Sequence, residues 1–201
     1  VHNGDMAFRV PDDAVIFIAN RCRINFWEEN SDTYLSTKGI KEFAIENGLW
    51  DGQGDLNPAK TFGAGNYSFG CIGREWRNTC MLSAEWAEKL ADEDLATCPN
   101  PDETFPLWFV PDEKISVNTL RDLCMDTYAD TKYDSRESAY AGPFGNVLTG
   151  NYERRGTMVP QCTYFQCSNV KAWLPEEVRC LVWFGYGATL TQYMTPVWAS
   201  S

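Results

Sequence analysis

Asn20, Arg74 and Arg77 are the residues of this chain best suited to binding or polarising a small polar substrate. Asn20 closes the apolar run Ala14-Val15-Ile16-Phe17-Ile18-Ala19. A carboxamide there must find partners or cost roughly 1–3 kcal/mol if buried without them, so it is either tied to backbone or presented to a cavity. Arg74 and Arg77 stand one helical turn apart. Such a pair can clamp a carboxylate bidentately, and it can equally be the solvated start of a helix.

Other catalytic arrangements are missing. His2 is the only imidazole and lies close to the start of the sequence, which argues against a Ser-His-Asp or Cys-His relay within these residues. Gly63-Ala64-Gly65 lacks the lysine and helix of a phosphate loop. Asp51 and Asp55 do not have the spacing of a calcium loop. The eight cysteines, Cys22, Cys71, Cys80, Cys98, Cys124, Cys162, Cys167 and Cys180, include no CxxC pair, and with a single histidine they do not make a structural zinc site. No metal ligand set or cofactor is expected. An even cysteine count suits disulfides in a secreted or lysosomal protein, with buried thiols in a cytosolic one as the other reading. The sequon Asn66-Tyr67-Ser68 adds a glycosylation site at Asn66 to the first reading.

Composition narrows the partners. Lys+Arg 17 against Asp+Glu 28 gives a net charge of −11 with no basic run, so nucleic acid and anionic membrane surfaces are poor partners. No apolar segment approaches the length of a membrane span. A chain of 201 residues buries roughly 70% of its extended surface, and residues 1–201 are expected to form a single domain. Self-association into a homo-oligomer is left open.

The elements that must position these groups follow from periodicity and turn chemistry. Pro11-Asp12-Asp13 is a turn, and it predicts a hairpin between Met6–Val10 and Ala14–Ala19. The second strand is continuous enough to be covered on both faces. Asn20–Phe26 is expected to continue it, with Arg21 and Arg23 alternating with Cys22 and Ile24 and one face exposed. Ser36-Thr37 is expected to cap a helix carrying Ile40, Phe43, Ala44 and Asn47, stopped by Gly48. Gly52–Gly70 reads as a long ordered loop. Gly73–Arg77 leads into a helix around Ser83–Ala91, Cys98–Glu103 is loop, and Phe105–Val110 a short strand. Ser116 caps a helix over Val117–Tyr128, Ala129–Gly156 lacks regular structure, and strands are expected over Thr163–Cys167, Val178–Phe184 and Thr191–Trp198. Pro196 marks the last as an edge or strand end. The class is α+β.

Several stretches, taken together and in order, resemble the C69 family of dipeptidases within the N-terminal nucleophile hydrolases. They are Arg9-Val10-Pro11-Asp12-Asp13 followed by Ala19-Asn20 and Arg23-Ile24; Arg74-Glu75-Trp76-Arg77; Leu120-Arg121-Asp122 with Asp126-Thr127 and Tyr133-Asp134; Ala141-Gly142-Pro143-Phe144-Gly145-Asn146; and Leu174-Pro175 with Val182-Trp183-Phe184-Gly185. The resemblance implies an αββα sandwich and hydrolysis of a peptide or small amide substrate by an N-terminal cysteine. A terminal cysteine needs no histidine, because a free α-amine near pH ~8 and a thiol at about 8.5 supply base and nucleophile from one residue. It further implies that Asn20 donates to the oxyanion, worth about 2.7–4 kcal/mol in comparable sites. Arg74, with Arg77 second, is implied to hold the scissile centre or the substrate carboxylate.

The family's nucleophile is the first residue of its chain, whereas this sequence begins at Val1 and all eight cysteines are internal. Cys22, nearest to Asn20, reads as structural. The chain therefore resembles an internal portion of the family domain, partial and completed by another chain. The nucleophile is expected on a companion chain from the same precursor. The competing reading is a non-catalytic secreted structural or binding protein built on a degenerate hydrolase scaffold.

Overall fold

Met6–Phe8 (β1) pairs antiparallel with Tyr34–Ser36 (β2), Met6 facing Ser36 and Phe8 facing Tyr34. The expected hairpin between Met6–Val10 and Ala14–Ala19 therefore does not form. The Pro11 turn is present, with the Ala14 N–H donating to the Pro11 carbonyl at 3.1 Å. It leads into an extended segment joined to the rest by one two-way bridge, Val15 with Phe109, at 2.8 and 3.1 Å. Side chains take the backbone groups that a strand ladder would use: the Phe17 carbonyl accepts from Arg23 at 2.8 Å, and the Ala19 N–H donates to Glu75. The segment is not covered on both faces, since Ile18 is 64% exposed. Phe105–Val110, expected as a strand, contributes only the Phe109 side of the same bridge.

The computed structural model describes residues 6–63, 68–95, 98, 101–137, 141, 143–149 and 155–198. They fall into two compact units, Val1–Asp112 and Glu113–Ser201. The fold is mixed, with helices and two small antiparallel sheets.

In the first unit, Trp27, Ile40 and Leu56 form a buried apolar cluster against which Met6, Tyr34, Trp50 and Phe62 pack. Ile40 belongs to α1, Ile40–Glu46, which starts from a left-handed Gly39. Ser36 is in β2 and does not cap this helix, because its backbone is already committed to the sheet. Gly48 stops the helix at φ 66 as expected. The stretch expected to be loop from Gly52 to Gly70 contains α2, Pro58–Phe62. Its N-terminus is the Asn57-Pro58 pair, with the Asn57 side chain accepting from the Lys60 N–H.

Phe69–Leu82 (α3) is a separate helix that encloses all of Gly73–Arg77, whereas the sequence pattern has those residues only lead into the helix around Ser83–Ala91. It ends at Ser83, whose hydroxyl accepts from the Trp86 N–H and opens α4, Ala84–Lys89. Pro101–Thr104 (α5), expected as loop, is one helical turn. The buried residues of α3 include Cys71, Ile72, Glu75, Asn78 and Thr79, spaced to form one inward stripe.

In the second unit, Val117–Met125 (α6) is opened by a capping box between Ser116 and Thr119. It stops three residues before the expected Tyr128. Asp126 accepts from the Tyr128 N–H at 2.9 Å, and Tyr128 itself has a φ of 61, which a helix cannot accommodate. The polar region after it holds only short 3-10 turns among the described residues, at Pro143–Gly145 and Val147–Thr149. Tyr164–Val170 (β3), Cys180–Tyr186 (β4) and Thr195–Trp198 (β5) form an antiparallel sheet with β4 central. Pro196 sits on edge strand β5 opposite Trp183, where its missing N–H costs no ladder bond.

Each of the eight cysteines carries a thiol, and no disulfide joins them. This corrects the disulfide expectation and removes the support it gave to a secreted or lysosomal setting. Burial raises the thiols of Cys80 and Cys124 to about 11, so these two behave as small apolar groups. No helix among the described residues is long and apolar enough to cross a membrane.

Candidate functional site

Arg74 projects from the second turn of α3. Its Nε donates to the Gly70 carbonyl of the same helix, and its Nη2 donates to Asn20 Oδ1 at 2.6 Å. The two residues stand 54 apart in sequence. This contact fixes the orientation of the carboxamide. A guanidinium can only donate, so the oxygen of Asn20 must face it and Nδ2 must point the other way. Among the described residues, Asn20 Nδ2 meets no acceptor, and neither does Arg74 Nη1. Asn20 is exposed and Arg74 half-buried, so both unspent donors lie where a ligand could reach them. The sequence left open whether Asn20 was tied to backbone; it is tied to a side chain, by its oxygen only.

Cys71 stands beside this pair, with Sγ 4.0 Å from Arg74 Nη2 and 3.6 Å from the Ser68 hydroxyl. It is buried in the first turn of α3. Arg77 follows one turn after Arg74, half-buried. Its charge acts on the Cys80 thiol, opposing the rise caused by burial. It is Arg74 and not Arg77 that reaches Asn20. Asn66, the glycosylation candidate, lies outside the described residues, as do His2 and Gly142.

Beneath the pair is a cluster of charges drawn in part from the Asn20–Phe26 stretch, which does not continue as a strand but does turn alternate residues outward over Asn20–Arg23. Arg21 and Arg23 are buried, 6% and 5% exposed, while Cys22 between them faces outward. Both guanidinium groups converge on Glu75, itself 1% exposed. Arg21 Nη2 and Arg23 Nη1 lie 2.7 and 3.2 Å from Glu75 Oε2. Arg21 also pairs with Asp102, and Arg23 donates to the Phe17 and Pro106 carbonyls at 2.8 and 2.5 Å. Two positive and two negative side chains thus balance one another in the interior. Burial alone would lower the Arg21 pKa, but the hydrogen bonds and charge of Glu75 and Asp102 raise it overall. Arg23 goes the other way: burial lowers it, and Glu75 offsets only part. The available signal was Glu75 itself, a carboxylate on the inward stripe of α3 between Ile72 and Thr79, which requires buried counter-charge.

A carboxamide N–H turned outward by a guanidinium that holds its oxygen can donate to an anionic oxygen such as forms when an acyl group is transferred. The sequence comparisons place the chain among peptidases. Residues 4–201 match the family model described as Peptidase family C69. The "Probable dipeptidase" of Salmonella dublin is 26% identical over 133 residues, which cover 64% of this chain and 29% of that protein. The "Probable dipeptidase" of Latilactobacillus sakei is 23% identical over 187 residues, 90% of this chain and 36% of that protein. The chain thus spans about a third of the length of the curated relatives it matches. It belongs to peptidase family C69.

Proposed function

We propose that this chain supplies the oxyanion-binding side of a cysteine-type dipeptidase. The nucleophilic N-terminal cysteine stands on a companion chain from the same precursor, and the two together form an αββα sandwich. The observation that carries the reading is the contact of Asn20 Oδ1 with Arg74 at 2.6 Å, which leaves the Asn20 Nδ2 donor facing outward.

The chemistry is acyl transfer. The thiolate of the terminal cysteine attacks the amide carbon, its own α-amine having taken the thiol proton, and the C=O electrons move to oxygen. Asn20 Nδ2 donates to that oxygen. The bond is stronger to the oxyanion than to the ground-state carbonyl, so it lowers the barrier and not merely the substrate's free energy. Collapse expels the amine, which takes the proton back from the α-amine, and water then hydrolyses the thioester. Arg74 holds the carboxamide in register, and its Nη1 donates to the dipeptide's terminal carboxylate, with Arg77 one helical turn on as a second cation. A buried Cys71 whose nitrogen is in a peptide bond has no α-amine to serve as base, so it is not the nucleophile of this scheme.

Terminal sequencing and intact mass of the native protein test the companion, and hydrolysis of a dipeptide panel with and without iodoacetamide tests the chemistry. The expected result is a second polypeptide beginning with cysteine and activity abolished by alkylation at that residue. A native protein without such a polypeptide overturns the proposal in favour of a non-catalytic protein on the same scaffold, and hydrolysis that survives alkylation of the terminal cysteine overturns the cysteine chemistry.

A further inference from the structure

Three consecutive residues of the extended segment are gripped by two consecutive residues of α3. Arg74 holds the side chain of Asn20. Glu75 holds both of its neighbours: Oε1 accepts from the Ala19 backbone N–H at 3.4 Å, and the carboxylate takes Arg21 Nε at 3.1 and 3.0 Å and Nη2 at 2.7 Å. The Ala19 bond is long, yet among the described residues it is the tie that joins backbone beside Asn20 to the helix, in a stretch whose strand pairing ends at Val15. Asp102 completes the charge balance on Arg21 from the other side, while the Ala19 N–H goes to Glu75.

We infer that Glu75 is the positioning residue of the site, setting the height and tilt of the Asn20 carboxamide over α3 by clasping Ala19 and Arg21 on either side of it. This rests on the reading of Asn20 as the oxyanion donor. The mechanism is geometric. A carboxylate offers four acceptor positions and can serve the Ala19 amide and both guanidinium groups together. A glutamine at the same place offers one oxygen, and its NH2 faces two cations. The segment then loses one of its clasps, and a donor displaced by about an ångström no longer meets the developing charge.

The test compares Glu75→Gln with Asp102→Asn in the complete native protein. Both remove one negative charge from the same buried cluster, and only the first alters the acceptor of the Ala19 N–H. Glu75→Gln should lower kcat by about 100-fold with KM within about threefold, while Asp102→Asn, at a comparable loss of melting temperature, keeps kcat within about threefold. If Glu75→Gln does not fold, Glu75→Gln with Arg23→Met restores neutrality to the cluster and is used in its place. Hydrogen exchange over Ile18–Arg21 is the readout that does not depend on turnover, and it should quicken by about tenfold or more in the Glu75→Gln variant and stay unchanged in the Asp102→Asn variant. Equal falls in kcat for the two variants, or exchange at the wild-type rate in the Glu75→Gln protein, overturn the inference. A wild-type protein that hydrolyses no dipeptide sinks the oxyanion reading instead, and the exchange result then decides alone whether Glu75 holds the segment.

Discussion

Asn20 and Arg74 meet oxygen to guanidinium at 2.6 Å across 54 residues of sequence. Because arginine has no acceptor, the contact decides which end of the amide is held and which is offered.

Asn20→Asp is the most informative substitution at this pair. It keeps the shape and turns the contact with Arg74 into an ion pair, so the protein should melt at the same temperature or slightly higher. It also replaces the outward N–H donor with an acceptor that repels an oxyanion. On the proposed role of Asn20 as oxyanion donor, dipeptide kcat of the protein with its companion chain should fall by about 100–1,000-fold with KM little changed. Steady-state kinetics beside a melting curve checks both halves, and unchanged kcat would remove Asn20 from the reaction.

Arg74→Met frees the carboxamide to rotate while keeping the alkyl packing. On the proposed mechanism kcat should fall by about tenfold or more through the mis-set donor, and KM for dipeptides should rise because the cation proposed to bind the substrate carboxylate is lost. Lysine at this position should restore part of the KM and little of the kcat, since its single ammonium has no planar fork to orient the amide. Equal rescue of both would mean that Arg74 acts only as a charge.

Asp134 gives a pH signature in the second unit. The hydrogen bonds from Arg136, at 3.0 and 2.7 Å, with backbone donors assisting, hold its carboxyl at about 2, below the ordinary 3.8. A depressed folded value means stability that is present above about pH 4 and lost as the pH falls through about 2. Because Arg136 is 46% exposed, solvent screens the pair, and the contribution is about 1 kcal/mol rather than the full shift. Asp134→Asn should therefore lower stability near neutral pH by about that amount, and urea titrations of the two proteins should converge as the pH approaches 2. A constant difference across that range would refute the assignment.

Thiol labelling checks the cysteine environments. Cys22 is exposed, whereas Cys80 and Cys124 are held near 11 by burial. Limiting iodoacetamide at about pH 7.5 should modify Cys22 well before either of them, because the thiolate is the reacting form. Peptide mass spectrometry gives the order. Early modification of Cys124 would show that its surroundings are open.

Glu75 and Arg21 mark where the local pattern misleads. The run Arg21-Cys22-Arg23-Ile24 alternates cleanly, and alternation does define two faces, but hydropathy alone assigns the wrong one to the interior. A carboxylate arriving from α3 reversed it, making the arginines the inner residues and Cys22 the outer one. Likewise the apolar run before Asn20 has strand composition, yet a strand needs a partner, and the backbone groups it would have paired were taken by Arg23 and Glu75.

Local chemistry was enough for much else. The Pro11 turn, the Gly48 stop, the Ser83 and Ser116 caps and the Pro196 edge strand all follow from single side chains acting on neighbouring backbone, and ordered motifs were enough to point to the family. The sequence by itself therefore determined where elements start and stop, and that Asn20 and Arg74 were worth watching. Tertiary structure alone decided that these two touch, which end of the amide faces outward, and that Arg21, Arg23 and Glu75 lie buried beneath them with Asp102 half-buried against Arg21. Those outcomes depend on groups far apart in the chain whose burial is tolerable only when all of them arrive together, and no local pattern records that condition.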